Sequence, residues 1–353
     1  MASRSGQRRA RTYAAAGVNR SRTARALAAL LANAGYHAPL SSGRPVALPG
    51  HYAGLVRIGR ETLAITTDTV GTKTILAERL GQWEEIGVDA VAVNVNDLAS
   101  VGARPAGLVD VISCRQADPE VFEQIGRGLY RGLQLSRCSL LGGETAIVPE
   151  LLQGIDVGGT AIGFFPDRRR PITGAGIRPT DVLLGIPSSG LQSNGFTLAR
   201  RIVAESRKGL GARRPGADRP LGTELLTASR IYVAASEALA GLRGVTGFAH
   251  ISGGGVRNLP RLRRGVRFVL DRWPRPFGIF EWLSETGGIE PQEMYQTFNM
   301  GIGFVVAVRR SFEAEALRRL WRAGYPDTLI VGHVAPGTGV ALPQLDLSYA
   351  GYA

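Results

Sequence analysis

Two mixed α/β domains in series are what this sequence predicts, on three observations. The chain has 353 residues, enough for two units that each bury a core. Between about residue 61 and Phe165, short apolar runs alternate with stretches of helical apolar spacing, the pattern of a sheet covered by helices. Residues 166–181, PDRRRPITGAGIRPTD, break that pattern with three prolines, three consecutive arginines and two glycines, and a second set of strand, loop and helix opens after them. The expected division is an N-terminal domain over residues 1–166, with 1–12 as a disordered tail, and a C-terminal domain over 167–353.

TLAIT is a short apolar run with β-branched residues and reads as a strand. The polar DTVGTKT follows it. ILAERLGQWEEIGVDAVAVNVNDLASVG then keeps helical spacing on both sides of a glycine break. AGLVDVIS reads as a strand. DPEVFEQIGRGLYRGLQLS reads as a helix, because an acid and a proline open its first turn. SLLGGE and IDVGGTAIGFF read as strand, glycine-rich turn and strand. Beyond the break, VLLGIPSSGLQSNGFTLARRIVAES repeats the order of strand, polar loop and helix. RKGLGARRPGADRPLG is too rich in glycine, proline and charge to pack, so it is expected as a surface loop. ASRIYVAASEALAGL reads as helical, MGIGFVVAV as a strand, FEAEALRRLWRAG as a helix and TLIVGHV as a closing strand.

Composition bounds the function. Hydrophobic residues make up 44% of the chain and charged residues 20%, the balance of a globular protein. The formal net charge is +13, and no Asp or Glu precedes Glu61. Nucleic-acid-binding arms and transit peptides share such an acid-free, arginine-rich start. Tyr13 is the lone aromatic of that arm, so stacking on single strands gets no support and a nucleic-acid partner is not expected. No apolar run reaches ~18 residues, so no membrane span is expected. Cys114 and Cys138 are the only cysteines, too few for a disulfide framework, and a reducing, cytoplasmic setting is the expectation.

Four polar clusters begin where apolar strands stop: TTDTVGTKT, NVNDLASVGARP, LLGGETA and SSGLQSNGF. Loops at strand ends are where α/β folds hold ligands. Three clusters supply a carboxylate, Asp68, Asp97 and Glu144. Carboxylate oxygens suit Mg2+, which keeps several waters and bridges substrate phosphates. Neighbouring glycines let backbone N–H groups point at phosphate oxygens. Each cluster taken alone is also what a turn or a helix cap looks like, so the weight rests on the set. None is a Walker A loop, and no G-x-G-x-x-G follows a strand.

In this order and at these separations, TTDTVGTKT, NVNDLASVGARP, LLGGETA, SSGLQSNGFTLAR, HISGGGVRNLPR and EMYQTFNMGIGF resemble the aminoimidazole ribonucleotide synthetase (phosphoribosylformylglycinamidine cyclo-ligase) family. The resemblance runs from about Tyr13 to about residue 335. The elements around Asp97 are shared across a wider ATP-binding superfamily, whereas EMYQTFNMGIGF resembles the cyclo-ligase in particular. The resemblance implies an N-terminal mixed-sheet α/β domain, a C-terminal α+β domain and a homodimer joined through the N-terminal sheets. It implies ATP and Mg2+ as cofactors and formylglycinamidine ribonucleotide as the small-molecule substrate. ATP would phosphorylate the formamide oxygen, the amidine nitrogen would attack the activated carbon, and phosphate would leave as the imidazole forms. Carried over by position, Asp68, Asp97 and Glu144 are the metal-binding acids, and Lys73, Asp97 and His250 are the catalytic residues. Asp68, Gly71, Thr72, Asn96, Gly142, Gly143 and Asn194 are the nucleotide contacts. Lys73 is one of only two lysines and would offer a phosphate or carboxylate a compact point charge, where Arg's planar fork imposes another geometry. His51, in GHYAG, lies in a further glycine-flanked family segment.

The chain also departs from the family. Gln192 stands where HSNG has His, Gln296 where MYRTFN has Arg, and Asn19 and Arg20 replace the end of GVDI. Glutamine hydrogen-bonds but does not titrate, so an acid–base role at position 192 is absent or moved elsewhere. Two other readings stay open: another ATP-using enzyme of the superfamily, such as a small-molecule kinase, or a non-catalytic, nucleic-acid-binding paralogue.

Overall fold

The computed structural model describes residues 12–16, 18, 20–34, 43–46, 48, 50–206 and 208–351. The expected tail lies outside the described residues except at Thr12, and so does Asn19. Helix α1 (Arg20–Ala34) comes first and leaves Leu27, Leu30 and Leu31 exposed.

Strands β1 (Arg44–Val46), β2 (Gly54–Ile58), β3 (Glu61–Thr69), β4 (Arg104–Cys114), β5 (Ser139–Ile147) and β6 (Ile155–Phe164) form one sheet in the order β1-β2-β3-β6-β4-β5. β4 and β5 pair in parallel, which the long connection through a helix makes possible. Helices α2 (Thr74–Leu80), α3 (Glu84–Ala99) and α4 (Pro119–Ser136) belong to this unit. Gly81, at φ 63°, ends α2 in the left-handed conformation that glycine tolerates. Asp118 opens α4 by accepting from the N–H groups of Glu120 and Val121. α3 is buried on almost every side, since it lies between this sheet and the second unit. It meets α4 backbone to backbone: a Cβ on Gly128 would stand 1.9 Å from the Glu84 carbonyl oxygen. The other face of the sheet is bare, with Ile65, Val109 and Val111 at the surface.

The second unit contains β7 (Val182–Pro187), α5 (Phe196–Glu205), α6 (Leu221–Leu226), α7 (Val233–Ala240), β8 (Val245–His250), β9 (Val266–Val269), α8 (Ile279–Gly287), α9 (Pro291–Thr297), β10 (Ile302–Val308), α10 (Glu313–Arg322), β11 (Leu329–Pro336), β12 (Gly339–Leu342) and β13 (Leu347–Tyr349). Its sheet runs β13-β12-β9-β11-β7-β10-β8 and is antiparallel except at β12–β9. Both units therefore pair a mixed sheet with helices, as the sequence predicts. Among the described residues no helix is long and apolar enough to cross a membrane.

Three local expectations change. The glycines of SLLGGE and IDVGG lie inside β5 and β6, and at Gly143, Gly158 and Gly159 neighbouring strands crowd the place of a side chain. A Cβ on Gly143 would meet the Asp110 carboxylate at 2.2 Å, and one on Gly158 the Asp68 carbonyl at 2.7 Å. Residues 227–232 are not helical, because α3 holds their backbone by side-chain hydrogen bonds, and α7 begins only at Val233. TLIVGHV is not the closing strand, since β12 and β13 extend the sheet beyond it.

Candidate active site

Polar chemistry gathers where the two units meet. β3 carries Asp68 at its end, and the last turn of α3 carries Asp97. From the second unit, the end of β8 brings His250, whose Nδ1 lies 2.9 Å from Asp97 Oδ1. A carboxylate only accepts, so Nδ1–H is the donor of this pair. His250 is buried and Asp97 nearly so, with 5% and 17% of their side chains exposed.

Asp68 is open to solvent on one side but crowded by protein on the others. Its carboxyl is pushed up to about 6, first by desolvation and then by the charge of Asp97, with Asp156 adding to it. Asp156, near the start of β6, is a site residue that sequence reasoning missed. Burial raises its carboxyl, the Gly71 N–H opposes that rise, and its Oδ1 is buried without a hydrogen-bond partner. The available signal was the pairing of IDVGG with TTDT, which places Gly158 opposite Thr69 and Asp156 just beyond. Gly71 has φ 67° and empty space where a Cβ would project, the shape of a backbone that admits a ligand. His51 lies within reach of the Asp97 charge. Burial first, and Arg261 second, pull it down to about 4, so it is neutral near pH 7.

The donor set fits a hard cation of a particular kind. The charges of Asp97 and Asp156 both act on Asp68, and Asp156 Oδ1 is buried without a hydrogen-bond partner. Among the described residues, no three acid, imidazole or thiol groups converge closely enough to hold a bare ion. A cation that keeps waters and takes phosphate oxygens suits such a set.

The second unit closes the site with two loops. Asn194 Oδ1 stands 2.8 Å from where a Cβ on Gly253 would be, so SNG and SGGG press against each other. Thr72 Oγ1 lies 3.1 Å from Thr197 Oγ1, joining the GTK loop to the start of α5. Gln192 is behind this surface, 2% exposed and at φ 62°. Its Nε2 donates to Tyr232 Oη at 2.8 Å, and Tyr232 donates on to the Pro187 carbonyl at 3.1 Å. The Tyr232 ring centroid lies 6.5 Å from that of His250, so the Gln192 side chain is linked to His250 through that ring. Gln296 donates to Glu293 Oε2 at 2.5 Å, and Glu293 Oε1 accepts the Tyr13 N–H at 2.7 Å.

Several expected site residues are elsewhere. Lys73 is fully buried: its Nζ lies 2.5 Å from Asp89 Oδ2, donates to the Thr227 carbonyl at 2.7 Å and sits 5.5 Å above the Phe196 ring. Its charge is paired with an internal acid, so in this structure it ties α3 to the second unit. Asn96 is fully buried too, donating to the Arg230 carbonyl at 2.9 Å and accepting the Tyr232 N–H at 2.8 Å. Glu144, Gly142 and Gly143 are on the edge strand β5. Glu144 is in register with Val111, Gly158 and Thr69 across β4, β6 and β3. Three strand spacings, roughly 14 Å, thus separate it from the end of β3, so Glu144 shares no metal with Asp68 and Asp97 within one chain.

Residues 50–165 match the family described as "AIR synthase related protein, N-terminal domain", and residues 178–343 match its C-terminal domain. The chain is 44% identical over 314 residues to a phosphoribosylformylglycinamidine cyclo-ligase of Thermococcus kodakarensis, covering 88% of this chain and 92% of that protein. It is 40% identical over 342 residues to the protein of the same name from Pyrococcus furiosus, covering 96% and 99%. A solved structure of AaThiL complexed with AMPPCP and TMP is similar in fold, with a TM-score of 0.61 at 15% identity over 93% of this chain and 95% of that one.

Proposed function

Since the chain belongs to the AIR synthase related protein family, we propose that it is a phosphoribosylformylglycinamidine cyclo-ligase, and that Asp68, Asp97 and the Gly71–Thr72 backbone form its nucleotide and metal site. It is an ATP-dependent ligase of purine synthesis, closing the imidazole ring of formylglycinamidine ribonucleotide to give aminoimidazole ribonucleotide, ADP and phosphate. One observation carries the site assignment: Asp97 from one unit and His250 from the other meet at 2.9 Å, beside a second carboxylate, Asp68, whose proton affinity Asp97 raises.

Phosphoryl transfer to an amide oxygen asks chiefly for positioning and charge neutralisation. Mg2+ held by Asp68 and Asp97 would neutralise phosphate charge. The residues of the chain do the rest. His250 fixes the Asp97 carboxylate through Nδ1–H, and the open space beside Gly71 lets phosphate approach the backbone there. Asn194 and the Gly253–Gly255 backbone hold the ribonucleotide against the nucleotide. His51, uncharged, lines the same recess without adding a cation that would compete with the metal. The ATP analogue in AaThiL, a protein of the same fold, supports a nucleotide in this cleft.

The bare sheet face supports a homodimer. Ile65, Val109, Val111 and Leu141 are exposed on β3, β4 and β5, an apolar area that a second copy would cover. Buried free thiols at Cys114 and Cys138 fit a cytoplasmic enzyme. The domain boundary is proposed within residues 166–177, between the two family matches.

The test is ADP and phosphate release with and without formylglycinamidine ribonucleotide, beside an Asp97→Ala variant. Release that requires the ribonucleotide and is lost in the variant is the expected result. ADP formed equally without it, or a phosphorylated product that accumulates in place of free phosphate, overturns the proposal.

A further inference from the structure

Between the GTK loop of the first unit and the SNG loop of the second runs an unbroken chain of polar contacts, buried except at its Ser193 end. Lys73, directly after Gly71 and Thr72, pairs with Asp89 Oδ2 at 2.5 Å. Asp89 Oδ1 accepts both the Ser229 N–H, at 2.7 Å, and the Ser229 hydroxyl, at 2.6 Å. Ser229 Oγ lies 3.1 Å from Ser193 Oγ, and Ser193 precedes Asn194. Asp89 is fully buried and Ser229 is 6% exposed. Proton accounting gives the chain a direction. A hydroxyl has one proton; that of Ser229 goes to the carboxylate, so Ser193 must donate to Ser229. The order is Ser193 to Ser229 to Asp89, balanced by the Lys73 ammonium.

The strap that carries Ser229 is itself gripped from both sides. Glu85 Oε2 takes the Ala228 N–H at 2.8 Å, Ser189 donates to the Ala228 carbonyl at 2.5 Å, and Lys73 donates to the Thr227 carbonyl. The strap thus touches α3 and the GTK loop on one side and the SSGLQSNG loop on the other.

From this geometry we infer that Lys73, Asp89, Ser229 and Ser193 form a positioning relay that sets the spacing between the two ligand-holding loops. The nature of the two ligands rests on the function proposed above; the mechanical link does not. Neither serine touches a reacting atom. Each sets the distance at which the phosphoryl donor meets its acceptor, a quantity to which turnover is steeply sensitive.

The test uses the full-length protein with Ser193→Ala, Ser229→Ala and Ser193→Thr. Turnover in the alanine variants should fall by ~10-fold or more, while affinities for a non-hydrolysable ATP analogue and for the ribonucleotide, each measured alone, stay within ~3-fold. Ser193→Thr, which keeps the hydroxyl, should recover most of the rate. Amide hydrogen exchange should quicken in Ser193→Ala at residues 71–74 as well as at 189–195. A rate within twofold of wild type, loss of affinity in step with rate, or exchange that changes only around position 193 overturns the relay. A wild-type protein that releases no ADP with the ribonucleotide overturns the assigned reaction instead, and the exchange comparison then decides the relay by itself.

Discussion

Replacing Lys73 by Met separates two meanings of the same residue. As a phosphate ligand it would matter for affinity and hardly for stability; as a buried tie, the reverse. The structure sets the magnitude. Two unit charges 2.5 Å apart attract by roughly 7 kcal/mol at an effective dielectric of about 20. Desolvation of the two ions, several kcal/mol each, offsets most of that, so the intact pair contributes little net stability. Removing only the ammonium leaves the Asp89 charge without its counter-ion in a site where both side chains are 0% exposed. Breaking such a pair from one side costs about 3–5 kcal/mol. The two hydrogen bonds from Ser229 to Asp89 Oδ1 remain and place Lys73→Met toward the lower end of that range. The contact to Oδ2 is off the hydrogen-bonding direction, so what is lost is mainly charge. Asp89→Asn on the Lys73→Met background should recover part of the loss, because no buried charge is then left. Lys73→Arg is also expected to destabilise, by about 1–3 kcal/mol, since a planar guanidinium overfills a fully closed site against Phe196. Urea unfolding of the four proteins, with ATP-analogue affinity measured alongside, gives the answer. A Lys73→Met protein within ~1 kcal/mol of wild type that has lost ~10-fold or more in nucleotide affinity would refute the burial argument.

Three further outcomes follow from other parts of the molecule. In metal-free protein, Asp68 holds a proton to about pH 6 when folded and to about pH 4 when unfolded. Its contribution to stability is therefore present at low pH and lost as pH rises from about 4 through 6; Asp68→Asn should be the more stable protein above pH 6, by on the order of 1 kcal/mol after allowance for solvent screening, with no difference below pH 4. Thermal melts across that range check the sign, and a gain confined to acid pH would contradict it. Val111→Asp with Leu141→Asp should leave a folded monomer in sedimentation velocity, because both side chains are on the bare sheet face; a dimer that survives the pair of charges would show that another surface holds it. Cys138 is 7% exposed and its thiol is pushed up to about 11 by burial, so alkylation at pH 8 should run ~100-fold or more slower than for a free thiol, and labelling at the ordinary rate would contradict the burial.

The architecture was legible because the sequence writes it locally. Asp118 and Pro119 announce α4, the glycine at 81 ends α2, and the PDRRRP break separates the two sheets. Strand interiors rich in glycine were misread, because Gly143 and Gly158 answer to neighbours across the sheet and not to their own turn. The same limit governs the site. TTDTVGTKT contains two chemistries within six residues: Asp68 opens to the cleft, while Lys73 turns inward to an acid sixteen positions further along the chain. An isolated motif cannot distinguish them, since the distinction lies in what α3 presents opposite each residue. Asn96, expected as a nucleotide contact, and Asp89, on the same helix, are acceptors for a strap about 140 residues away.

That arrangement explains why a chain so committed to arginine keeps a lysine at position 73. The neighbouring Phe196 ring and the Thr227 carbonyl leave room for one small cation head on one carboxylate oxygen, and a guanidinium's five donors would outnumber the acceptors that meet Lys73 there, the Thr227 carbonyl and Asp89 Oδ2. The residue is therefore informative about function in an indirect way. Its chemistry is spent inside the protein, yet it begins the contact chain that ends beside Asn194. The TTDTVGTKT stretch thus joins the half proposed to face ligand, Asp68 to Thr72, to an anchoring half at Lys73, and in that reading the geometry of the first depends on the burial of the second.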